Sequence, residues 1–162
     1  MTDCEELEAV LADLQPGDTV AFARLEGLKD VEPCIAEGLA SSASSDDWSA
    51  FERYLLAASR HPDGSMVSVL CDVLGRQLDE VNNDDIVDVL AVIADPAAVG
   101  CLEETMWWQP PWDEYRSLAV KCVWALAAIG TPEALEVLRD AASTAPAEVR
   151  EAAAHKLGVA GG

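Results

Sequence analysis

Residues 106–112, MWWQPPW, place three tryptophans within six positions around a Pro-Pro step, with Glu103, Glu104, Asp113 and Glu114 at the margins. Indole faces ringed by carboxylates suit a cationic partner, because an arginine stacks on the ring and pairs with the acid. Tryptophan also concentrates binding energy, since it buries a large area at low entropic cost. Pro110 and Pro111 hold the backbone extended and stop a helix arriving from the N-terminal side. A loop of this kind cannot turn all three indoles into one core. One expectation is structural, with Trp107 and Trp112 packed down on neighbouring helices; the other is functional, with at least one indole, Trp108 first, exposed as an anchor.

A second cluster, LDEVNNDDIVD (78–88), gathers Asp79, Glu80, Asp84, Asp85 and Asp88. Its spacing lacks the alternating acids, glycine and final glutamate of a calcium loop, so no metal is expected there. Ser117, Lys121 and Trp124 recur at helical spacing one face round from an apolar stripe, and mark a candidate concave groove.

Catalytic chemistry finds no constellation. The chain has no G-x-S-x-G, no H-E-x-x-H and no glycine-rich phosphate loop. Its two histidines, His61 and His155, are far apart. Paired-carboxylate catalysis needs a shaped cleft that nothing in the sequence indicates. Five cysteines, odd in number and without a C-x-x-C pair, argue against a zinc site or a disulfide framework. Cys71, Cys101 and Cys122 lie among apolar residues and read as core fillers. The reading is a non-enzymatic protein with no cofactor.

The elements that position these residues follow from length and period. The chain of 162 residues has the length of one domain, and 51% of it is hydrophobic. Formal net charge is −20, and it is regional. Residues 1–60 hold thirteen acids and four bases, 61–115 twelve acids and one base, and 116–162 five of each. Such acidity disfavours nucleic acid and anionic membranes as partners. The acidic start, MTDCEELEAV, has no basic or apolar leader region, and the apolar runs are too short to span a bilayer. A cytoplasmic protein is expected.

Pro62, Pro96 and Pro132 stand 34 and 36 residues apart, each after a residue placed to cap a helix: His61, Asp95 and Thr131. Gly130 and Gly158 stand where helices are expected to end. Tyr115, Leu118, Ala119, Cys122, Leu126 and Ile129 form one helical stripe, and Val149, Ala152, Ala153 and Leu157 another. Three units result, 61–94, 95–130 and 131–158, each a pair of helices, and paired helices at this period stack into a solenoid. Equivalent loops of a stack share an edge, so the acidic loop and the tryptophan loop are expected to be neighbours. Residues 1–60 read as an irregular helical cap: helices over EELEAVLADL, TVAFARLEGL and VEPCIAEGLA, a flexible SSASS turn (41–45), then a helix with Trp48, Phe51, Leu55 and Ala58 on its apolar face.

The pattern P-x-A-L-x-x-L followed by VREAAAHKLG in residues 131–158 resembles the short HEAT-like repeats of bacteria, the type also seen in proteins related to bilin lyases. The resemblance implies an all-α fold, a right-handed α-solenoid of HEAT-like helix pairs. It leaves function unspecified. The functional expectation is a protein–protein interaction module for a basic partner, with Trp107, Trp108, Trp112, Asp84, Asp85, Asp113 and Glu114 as its contact edge. By analogy it is an immunity protein that neutralises a basic toxin such as a nuclease. Mimicry of DNA by the acidic surface is compatible with the same charge. The alternative is a ligand-handling protein related to bilin lyases, holding an apolar molecule in the groove of Ser117, Lys121 and Trp124. The chain is expected to be a monomer or a weak homodimer through residues 146–157 of its neutral C-terminal unit.

Overall fold

The computed structural model describes residues 2–15 and 17–160, which form ten α-helices and no strand. They are α1 (Asp3–Ala12), α2 (Thr19–Gly27), α3 (Glu32–Ser44), α4 (Trp48–Arg60), α5 (Val67–Gly75), α6 (Asn83–Ile93), α7 (Val99–Trp107), α8 (Ser117–Ile129), α9 (Pro132–Thr144) and α10 (Ala147–Ala160). Short polar residues cap five of them. Thr2 and Glu5 form a reciprocal capping box, and the side chains of Asp18, Asp47, Asn82 and Thr131 each accept a backbone N–H three residues on.

Helices pair in chain order, α3 with α4, α5 with α6, α7 with α8 and α9 with α10. Alternate helices also pack on one another. One series runs α4, α6, α8, α10 and the other α3, α5, α7, α9. α1 and α2 pack on each other and on α4. A single apolar cluster runs through all of this, from Leu7 and Leu25 through Phe51, Leu70, Leu90 and Leu126 to Leu138 and Ala153. No described helix is long and apolar enough to cross a membrane.

Several local expectations give way to particular contacts. The SSASS segment is not a flexible turn: α3 runs through Ser44, and Ser42 Oγ donates back to Gly38 O at 2.7 Å. The His61-Pro62 step does not start a helix. His61 ends α4 and its Nε2 lies 2.6 Å from Leu25 O, while Asp63 caps a 3₁₀ turn (64–66) that leads into α5. Asp95 caps a second such turn (96–98) ahead of α7. Thr131 and Pro132 open α9 as expected, and Gly130 takes the left-handed conformation at the end of α8. α10 does not stop at Gly158; it continues to Ala160.

The cysteine expectation is overturned. Cys4 is disulfide-bonded to Cys34, joining α1 to α3, and Cys71 to Cys101, joining α5 to α7. Their Cα atoms are 6.0 and 5.6 Å apart, and each bond spans 30 residues of sequence. Sequence spacing alone carried no sign of the pairing, because half-buried cysteines on adjacent helices look like core fillers. Only Cys122 matches that description, as a free buried thiol.

Candidate binding site

The tryptophan loop is built by the end of α7 and the entry to α8. The last residue of α7 is Trp107, and the chain leaves it extended at Trp108. Asp113 N–H closes a turn on Pro110 O at 3.0 Å, and Pro110 itself is buried. Trp108 is half-buried against the core and meets Trp112 edge to face, with ring centroids 6.4 Å apart. Trp107 and Trp112 are 42% and 50% exposed. The expected order is therefore reversed. Trp108 is the indole that packs down, and its neighbours face outward, because the first residue after the helix turns back toward the core.

Asp113 is not a partner-facing acid. Only 7% exposed, its carboxylate accepts Ser117 N–H at 2.9 Å and Leu118 N–H at 3.0 Å. It closes the free N-terminus of α8, where Arg116 occupies the left-handed region at φ 56°. That kink also ends the expected stripe. Tyr115 lies outside α8 and is exposed, as is Glu114.

The acidic loop before α6 does lie beside the tryptophan loop, since Trp112 Nε1 donates to Asp79 Oδ1 at 3.2 Å. Further into α6 the carboxylates crowd around one cation. Lys121 Nζ of α8 pairs with Asp88 Oδ2 at 2.9 Å. Burial works to lower the Lys121 ammonium, but the hydrogen bond and charge of Asp88, with the charges of Asp84 and Asp85, hold it above the ordinary lysine range. Burial raises the Asp84 carboxyl; Lys121 opposes this and Asp113, Asp88 and Asp85 add to it. Asp84 Oδ1 is buried without a hydrogen-bond partner. Asp85 is raised by burial and by Asp88, against Lys121. Of the groove residues expected on α8, Lys121 is thus turned to α6, Ser117 N–H is spent on Asp113, and Trp124 is half exposed one turn beyond Lys121.

A groove of about 380 Å³ lies between α4 and α6 and was not anticipated. Leu55, Leu56, Val89 and Val92 form its apolar walls, and Glu52, Asp85 and Asp88 its charged margin. Glu52 accepts Asn82 N–H at 2.8 Å. Burial raises its carboxyl, the Asn82 hydrogen bond lowers it, and the charge of Asp85 raises it further. In the sequence Glu52 is one acid in an amphipathic helix, and only the packing of α4 on α6 brings it to Asp85.

Nucleophilic chemistry has no support among these groups. Cys122 is enclosed, and burial, with the charge of Asp84, pushes its thiol far above the ordinary range. What the arrangement can do is bind positive charge beside apolar and aromatic surface. Compared with protein-family models and with curated proteins, the chain matches none.

Proposed function

We propose that the chain is a non-enzymatic binding module for a basic protein partner, on a HEAT-like fold in which the helix pairs form a right-handed solenoid. The packing of alternate helices supports the fold reading. The observation that carries the function is the juxtaposition of Trp112 with Asp79, which sets exposed indoles against the acidic loop of the preceding helix pair. Trp107 and Trp112 act as anchors, with Asp79 and Glu114 beside them and Asp84 and Asp85 contributing field. Trp108 supports Trp112 from beneath, and Asp113 holds the loop. An excess of twenty negative charges steers a basic partner toward this edge and raises its association rate.

Toxin neutralisation by occlusion is the biological role that suits a small acidic protein of this kind. Mimicry of DNA predicts in addition that duplex DNA competes for the partner. Capture from a source extract at low salt tests the reading: the retained protein should be basic, should elute as salt rises, and should be lost with Trp107→Ala/Trp112→Ala. Retention that ignores both salt and the substitution would refute it. Native mass measurement with and without the partner tests the expected monomer or weak C-terminal homodimer.

The second reading, ligand handling like that of bilin-lyase relatives, draws support from the apolar walls of the α4–α6 groove. The carboxylates at its margin favour a cationic ligand over a neutral one.

A further inference from the structure

We infer that the groove between α4 and α6 is a binding site for a small amphipathic organic cation, an aliphatic ammonium whose chain lies on Leu56, Val89 and Val92 and whose charged head meets Glu52 and Asp85. Volume, lining and charge all bear on this. About 380 Å³ falls within the range of small-molecule pockets, which are mostly apolar with a few placed polar groups. Val92 is 65% exposed on the groove wall, an apolar side chain left uncovered. Its neighbours Leu56 and Glu52 also line a second recess across α4, with Leu14 and Phe22 as its apolar members and Gln15 and Arg53 as its polar ones.

The margin selects the charge of the ligand. Asp88 is matched by Lys121, but among the described residues neither Glu52 nor Asp85 has an ion-pair partner. Glu52 of α4 and Asp85 of α6 line the same groove, and one cation between them relieves both carboxylates. An anionic amphiphile of the same length would add a third like charge. A multivalent hydrophilic cation would leave the apolar walls in water. The groove shares Asp85 with the acidic field of the tryptophan edge but none of its indoles, and the inference does not rest on that edge.

The test is a titration of the ¹⁵N-labelled full chain with n-octylammonium below its micelle concentration, followed by amide NMR shifts, with octanoate as the matched anion. Saturable shifts on α4 and α6 amides with octylammonium, and none with octanoate, are expected. In Glu52→Gln/Asp85→Asn, which keeps side-chain shape, the affinity for octylammonium should fall about tenfold. Val92→Ser, at an exposed position, should weaken both the shifts and the affinity. Equal binding of octanoate, undiminished binding to the double variant, or shifts confined to residues 107–115 would overturn the inference. The wild-type comparison of the two amphiphiles needs no variant. Because Asp85 also lends charge to the tryptophan edge, Val92→Ser separates the two readings: octylammonium binding should fall while basic-partner capture stays.

Discussion

Asp113 shows how far a residue type can mislead about its role. Its sequence neighbours place it among acids flanking tryptophans, which is the composition of a binding margin. Its carboxylate instead receives two backbone N–H groups of α8. Asp113→Asn retains one acceptor oxygen and loses the charge that complements the helix end. It should cost about 1–2 kcal/mol of stability, read as a shift in thermal or urea midpoint. Wild-type stability in that variant would contradict the capping role. Gly38 makes the converse case, a residue without chemistry that a neighbour depends on. A Cβ there would clash with the ring carbons of Tyr54, whose hydroxyl donates to Glu8 Oε1 at 3.0 Å. Gly38→Ala should destabilise by about 1–3 kcal/mol, and Tyr54→Ala in the same chain should remove most of the difference between glycine and alanine. The acids and indoles of the site were visible as types. Which of them face outward was not, because a left-handed Arg116 and an extended Trp108 decide that, and neither conformation has a sequence signature here.

At the scale of elements, period and capping were informative. Pro96 and Pro132 follow capping residues and precede helical turns, and the stripe from Leu118 to Leu126 is buried as its spacing requires. The signal failed where one side chain competes with another for the same role. Asp63 caps in place of His61, and serines that bond back to the preceding turn extend α3 across a segment that composition assigns to a loop. The disulfides were invisible because pairing depends on the distance between helices and not on residues in between. Each spans 30 residues, a loop for which chain entropy predicts about 3–4 kcal/mol of stabilisation. Reduction should lower the unfolding midpoint markedly, and thiol counting on the unreduced, denatured chain should find one free cysteine, Cys122. Five free thiols, or a midpoint indifferent to reductant, would contradict the assignment.

The whole molecule carries a surplus of negative charge that its folding must tolerate. Glu52, Asp84 and Asp85 have carboxyls raised above their ordinary values, chiefly by burial. A raised acid binds its proton more tightly in the folded state than in the unfolded chain. Its penalty is therefore fully present at neutral pH and is relieved as pH falls through the raised value. Asp63 is shifted the other way, lowered by the Ser65 hydroxyl and N–H, so its contribution is lost only at more acid pH. The thermal midpoint should accordingly rise on moving from pH 7.5 toward the upper end of the carboxylate range. Added salt at pH 7.5 should raise it too, by screening the surplus charge. A midpoint that falls steadily from pH 7.5 downward would show that ion pairs such as Lys121–Asp88 outweigh the crowding. The same surplus is what the proposed function uses, and its asymmetry along the chain was legible from composition alone. The edge that focuses it emerged from the packing of one helix pair on the next.

The measurement closest to the central claim is the affinity of the captured basic partner for three forms of the chain: wild type, Trp107→Ala/Trp112→Ala and Trp124→Ala. Truncating two exposed anchors should weaken binding by at least about tenfold, while Trp124→Ala, on the exposed face of α8, should bind as wild type does. Equal affinity for all three, or a loss confined to Trp124→Ala, would contradict the account and move the interface off the tryptophan edge.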